Sequence, residues 1–137
     1  MDTESGRLQV LRWLIAFAVV STAAHFRHNF VEIDRYPDGL VSGEVVRVAI
    51  LVSWPLFTAI GLYGLRLYAR RSYERAHVFL LTYAVMPLTT PGHFLDGSPD
   101  IPAFWFATIF TDALAGLALV GFVVLSVRAL RRTTAPA

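Results

Sequence analysis

The chain has 137 residues, of which 55% are hydrophobic and only 16% charged, with a formal net charge of +2. A soluble domain carries about 25% charged residues, so the expectation is one membrane unit, residues 1–137 forming a single transmembrane domain. With no cysteine in the chain, disulfides, thiolate metal sites, iron–sulfur clusters and a cysteine nucleophile are excluded.

Four apolar stretches follow one another, from about Leu8 to His28, Glu44 to Leu67, Ala76 to Thr90 and Ala103 to Val127. They predict helices over about 8–30, 43–69, 74–90 and 102–128. A ~30 Å hydrocarbon core needs ~20 residues, so the third is short unless its ends are included. A β-barrel would alternate apolar and polar residues, which Gly121-Phe122-Val123-Val124-Leu125 does not. The fold class expected is an all-α, four-helix transmembrane bundle.

In the first segment, Arg7, Arg12, an apolar run and Ser21-Thr22-Ala23 also fit a cleaved signal peptide. The run continues through Phe26 and Phe30, which favours a spanning helix. Tyr36-Pro37-Asp38-Gly39 is a turn signal and Ser42 a plausible N-cap for the second helix. Pro55 is expected to kink that helix and free a carbonyl. Thr90-Pro91-Gly92 ends the third helix, and Asp100-Ile101-Pro102 opens the fourth.

All twelve basic residues are arginine, and nine of them (Arg7, Arg12, Arg66, Arg70, Arg71, Arg75, Arg128, Arg131 and Arg132) fall at one end of such a bundle. The positive-inside rule then places both termini in the cytoplasm, and a bacterial inner membrane is the expected location. Because the arginines sit at segment ends rather than on one polar face, lipid headgroups rather than nucleic acid are the expected contact. Glu32, Asp34, Asp38 and Glu44 at the opposite end are expected to pair with Arg35 and Arg47 or to face solvent.

Chemistry is hinted at in one place. His25, His28 and Asn29 share a helix face, and His93 follows the break after the third helix, at the same end. Imidazoles three apart can meet one ion, and a third from another helix completes a His₃ set for zinc, copper or iron. A b-type haem between opposed imidazoles is the lesser alternative. His77, beside Glu74, is expected to be a cap or interface residue.

Asp112 lies inside the fourth apolar segment, ~15 Å along it from Pro102 at 1.5 Å per residue. A charged Asp at a helix centre costs ~2.5–3.5 kcal/mol on insertion scales, so it must face the bundle, protonated or partnered. It lies ~10 Å deeper than His25 by the same rise. It is therefore a fourth ligand, an acceptor for a histidine N–H, a separate site with Tyr83 or Tyr63, or a structural hydrogen-bond partner to a neighbouring helix.

His25-x-x-His28-Asn29, Tyr36-Pro37, Gly61-x-Tyr63-Gly64-x-Arg66-Leu67-Tyr68, Gly92-His93-Phe94 and Asp112 together resemble a group of small, uncharacterised bacterial four-helix membrane proteins. The resemblance implies a four-span fold and leaves the activity open.

The leading expectation is a periplasm-facing transition-metal site, with His25, His28 and His93 as ligands and Asp112 as a fourth ligand or proton acceptor. If catalytic, it suits metal-assisted hydrolysis or oxidation of a lipid-soluble substrate, with Asp112 as the catalytic group. Two rivals remain. One is an accessory subunit that packs Ala115, Gly116 and Gly121 against a partner in a homo-oligomer or larger complex. The other is a small proton-coupled carrier that titrates Asp112.

Overall fold

A computed structural model describes residues 3–35, 42–95, 97 and 100–134, with the backbone alone at His93, Thr133 and Thr134. The turn Tyr36-Pro37-Asp38-Gly39, together with Asp96, lies outside the described residues. Among the described residues there are four helices: α1 (Glu4–Val31), α2 (Gly43–Ala69), α3 (Tyr73–Leu88) and α4 (Ala103–Thr134). Short 3₁₀ turns follow α1 (Ile33–Arg35) and α3 (Thr90–Phe94). Each helix packs on its neighbours in a ring, α1 on α2, α2 on α3, α3 on α4 and α4 on α1.

Local signals set the helix ends. The Thr3 side chain caps α1 by accepting from the Gly6 N–H at 3.1 Å. Ser42 occupies the N-cap of α2 in extended conformation, with no side-chain cap bond. Pro102 precedes α4, its carbonyl accepting from the Trp105 and Phe106 N–H groups at 2.9 and 3.0 Å. Between α2 and α3 the chain reverses in three residues. Arg71 adopts φ 61°; the Ser72 N–H bonds the Leu67 carbonyl at 3.0 Å and the Arg71 N–H the Tyr68 carbonyl at 3.0 Å. That pair of bonds is a Schellman closure with an arginine where glycine is usual.

Three helices, α1, α2 and α4, are long and apolar enough to cross a membrane. The 16 residues of α3 reach only ~24 Å at 1.5 Å per residue. Its end falls two residues short of the expected Thr90, where the chain tightens into the 3₁₀ turn, whereas α1 and α4 outrun their expected boundaries. Even so, α3 is the tightly held helix. It buries Ala76, His77, Leu80, Tyr83, Ala84, Met86 and Pro87.

Small residues let α3 sit close to its neighbours. A Cβ on Gly61 of α2 would stand 2.5 Å from the Tyr83 ring, and one on Gly116 of α4 would stand 2.6 Å from Leu88. Ala115, at 1% exposure, and Gly116 thus serve the contact within this chain, while Gly121 faces open space. All the buried residues of α2 lie in its second half, at Gly61, Gly64, Leu67 and Tyr68. The stretch before it, up to Ile60, buries no residue fully, although Trp54, Phe57 and Ile60 pack against the core.

Polarity is inverted relative to a soluble bundle. Trp13, Val20, Val48, Leu51, Phe104 and Leu117 point outward, while Ser21, Thr22, His25, Asn29, Thr108 and Asp112 are buried. Such an exterior belongs in hydrocarbon rather than water.

Candidate buried polar site

Helices α1 and α4 run antiparallel, so a step of one turn up α1 matches one turn down α4. His25 faces Thr108, with Nδ1 3.1 Å from Oγ1. One turn away, the Ser21 hydroxyl donates to Asp112 Oδ1 and lies 2.9 Å from Thr111 Oγ1. The spacing Ser21, His25, Asn29 on one helix is answered by Thr108 and Asp112 on the other, which builds a polar seam along the interface.

Hydrogen-bond roles within the seam follow from donor supply. Thr108 Oγ1 donates to the Trp105 carbonyl at 2.6 Å, so toward His25 it can only accept, and His25 Nδ1 carries the hydrogen. Asn29 Nδ2 donates to His25 Nε2 at 3.1 Å. Both ring nitrogens therefore have protein partners. His28 takes a different one. It is 3% exposed and stacks on Trp105 at 4.6 Å between ring centroids and 25° between planes.

Asp112 is fully buried, and so is Tyr83 on α3. Among the described residues, neither Asp112 Oδ2 nor the Tyr83 hydroxyl has a hydrogen-bond partner. The two are electrostatic neighbours, and Thr22 stands beside Tyr83 as well. Thr22 Oγ1 donates to the Ala18 carbonyl at 2.8 Å and accepts from the Trp54 indole of α2 at 3.2 Å. The site therefore draws on all four helices. At its centre is a carboxylate oxygen and a phenol whose usual demand for a partner is unmet.

Asp112 is joined to the level of His25 through Ser21, one turn away, and among the described residues it accepts from no histidine. Tyr83 is its neighbour, while Tyr63 is 47% exposed and packs on Phe79 at 4.8 Å. The side chain of His93 lies outside the described residues; its backbone sits in the Thr90–Phe94 turn, which packs against α3 and α4. Among the described residues, no group of three or more His, Asp or Glu side chains is placed to hold a metal ion.

His77 is no surface cap. It is 8% exposed, and its Nε2 lies 3.1 Å from Ser126 Oγ, which also meets the Tyr68 hydroxyl at 2.9 Å. This second polar cluster sits toward the end that carries the chain termini. Between it and Asp112 stand Ile15, Leu80, Leu119 and Phe122, all buried, along ~21 Å of α4 at 1.5 Å per residue.

At the opposite end, Glu32 pairs with Arg35 at 2.9 Å and Asp34 with Arg47 at 3.3 Å. Arg47 also donates to the Phe30 carbonyl at 3.2 Å, tying α2 to α1.

Sequence reasoning missed Ser21, Thr22, Thr111 and Trp54. The signal was present in the i, i+4 stacking of Ser21, His25 and Asn29 against Thr108 and Asp112, but it shows only once α1 and α4 are known to be antiparallel neighbours. The chain matches no protein-family model, no curated protein and no solved structure.

Proposed function

We propose that the chain is a four-span protein of the bacterial inner membrane, with both termini cytoplasmic, acting as a small proton-coupled carrier with Asp112 as its titrating group. The observation that carries this reading is the fully buried Asp112, whose Oδ2 has no hydrogen-bond partner among the described residues, with the buried Tyr83 as its neighbour. A carboxyl group so placed, bonded to a neutral hydroxyl, changes its interactions sharply when a proton arrives. Intramembrane carboxylates of this kind mark proton relays and coupling sites. The excess of arginine at the termini end supports the orientation.

Infrared difference spectroscopy across a pH titration tests the reading. The expected result is a carboxyl band that appears and disappears with pH in the wild type and is missing in Asp112→Asn. Identical spectra for the two proteins would remove Asp112 from the role.

A metal centre at His25, His28 and His93 is the second reading. The turn carrying His93 packs on α4, to which His25 and His28 also hold. An ion at His25 Nε2 would have to displace the Asn29 amide, and Asp112 would act only at a distance, through Ser21. Elemental analysis of purified protein checks it: a transition metal in stoichiometric amount, lost in His25→Ala and His93→Ala, is the expected outcome. Metal-free wild type ends this reading without touching the first.

A further inference from the structure

Because the first half of α2 buries nothing fully, a groove opens there between α1 and α2. Its volume is about 390 Å³, and its walls include Ala23, Phe26, Phe30, Ile50 and Leu51. Small-ligand pockets hold ~300–1,000 Å³, so the groove is large enough for a guest. Trp54 and Pro55 close one side, and Pro55 has no N–H for the Leu51 carbonyl one turn back. The groove opens onto the outward apolar surface of the bundle.

Among the described residues, Arg27 is the one charged side chain lining it. It lies four residues before Val31, the last residue of α1, hence ~6 Å from the helix end. At that height the guanidinium head reaches the interface while its stem covers apolar surface. Its basic neighbours are already neutralised, Arg35 by Glu32 and Arg47 by Asp34. Arg27 makes no ion pair among the described residues. An apolar slot capped by one uncompensated guanidinium matches a molecule with a hydrocarbon tail and an anionic head.

We infer that the α1–α2 groove is a binding site for one anionic phospholipid, its acyl chain against Phe26, Phe30 and Leu51 and its phosphate on Arg27. The inference rests on the membrane-spanning reading but not on proton exchange at Asp112.

Native mass spectrometry of protein released from mixed phosphatidylglycerol and phosphatidylcholine vesicles tests it. Wild type is expected to retain one phosphatidylglycerol in preference to phosphatidylcholine. Arg27→Glu should abolish the preference, and Ala23→Trp, which fills the groove, should lower retention of either lipid at least fivefold. Arg12→Gln and Arg75→Gln, exposed and away from the groove, should behave as wild type. Equal retention of the two lipids by wild type, or unchanged retention in both groove variants, overturns the site. Co-flotation of each variant with vesicles reports membrane insertion separately, so loss of the lipid site and failure of the spanning reading give different results.

Discussion

Thr108 does two jobs with one hydroxyl. It donates to the Trp105 carbonyl at 2.6 Å and accepts from His25 at 3.1 Å. Thr108→Val keeps the shape and removes both bonds, leaving the His25 N–H buried without its acceptor. The expected loss is ~1 kcal/mol, the usual scale for one buried hydrogen bond and near that measured between membrane helices. Thr82→Val is the control, since its hydroxyl bonds only the Val78 carbonyl at 3.0 Å on an exposed face. Unfolding in mixed micelles should separate the two, and equal losses would mean that the His25–Thr108 bond contributes nothing. Nitrogen NMR of the His25 ring should show its hydrogen on Nδ1, and Asn29→Leu should leave it there, because Thr108 still accepts at Nδ1; only loss of both partners should release the preference. At this scale the sequence spoke unevenly. His25 and Asp112 stood out because ionisable groups are rare in apolar segments. Ser21 and Thr111 did not, because hydroxyl residues are common there and gain meaning only from what faces them. Ser21 and Thr22 fitted a cleavage motif by composition, yet in the fold they are buried mid-helix and hydrogen-bonded.

The α2–α3 connection and the seat of α3 decide how the elements hold together. Arg71 sits at φ 61°, where an L-residue with a Cβ is disfavoured by ~1–2 kcal/mol. Its bond to Glu4 at 2.7 Å joins two exposed side chains and contributes little. Arg71→Gly is therefore expected to raise stability by ~0.5–1 kcal/mol once the extra freedom of glycine in the unfolded chain is subtracted. Glu4→Gln should change it by far less, and a destabilised Arg71→Gly would show that the ion pair outweighs the backbone. Gly61 works the other way. A methyl there meets the Tyr83 ring, so Gly61→Ala should cost ~1–3 kcal/mol in overpacking. It should also move Tyr83 and so alter the Asp112 infrared band. Helix existence and most boundaries were legible from apolar run length and from punctuation at Ser42, Thr90-Pro91-Gly92 and Asp100-Ile101-Pro102. Helix adjacency was not. The small-residue face of α4 suggested an external partner, whereas Gly116 admits Leu88 of α3, a choice that periodicity alone does not make.

For the whole molecule, inverted polarity and the arginine excess at the termini end make a joint prediction about orientation. The chain has no cysteine, so single cysteines report sidedness without background. A membrane-impermeant maleimide should label Asp34→Cys in intact cells and Arg70→Cys only after permeabilisation. The reverse pattern would invert the topology, and labelling of both from outside would mean an even number of spans between them, so that α2 does not cross. The apolar layer of Ile15, Leu80, Leu119 and Phe122 between the two polar clusters has an electrical consequence. Such a layer is an insulating septum, and a transmembrane voltage falls mainly across the part of the protein that water and polar groups cannot shunt. With Asp112 on the loop side of that septum, the proton exchange we propose for it would draw on a single compartment. In oriented vesicles the Asp112 band should follow the pH on the loop side and ignore the pH on the termini side. Carriage across the membrane would then require the septum itself to repack, so the slow step of any transport cycle would lie at Leu119 and Phe122 rather than at the carboxyl group.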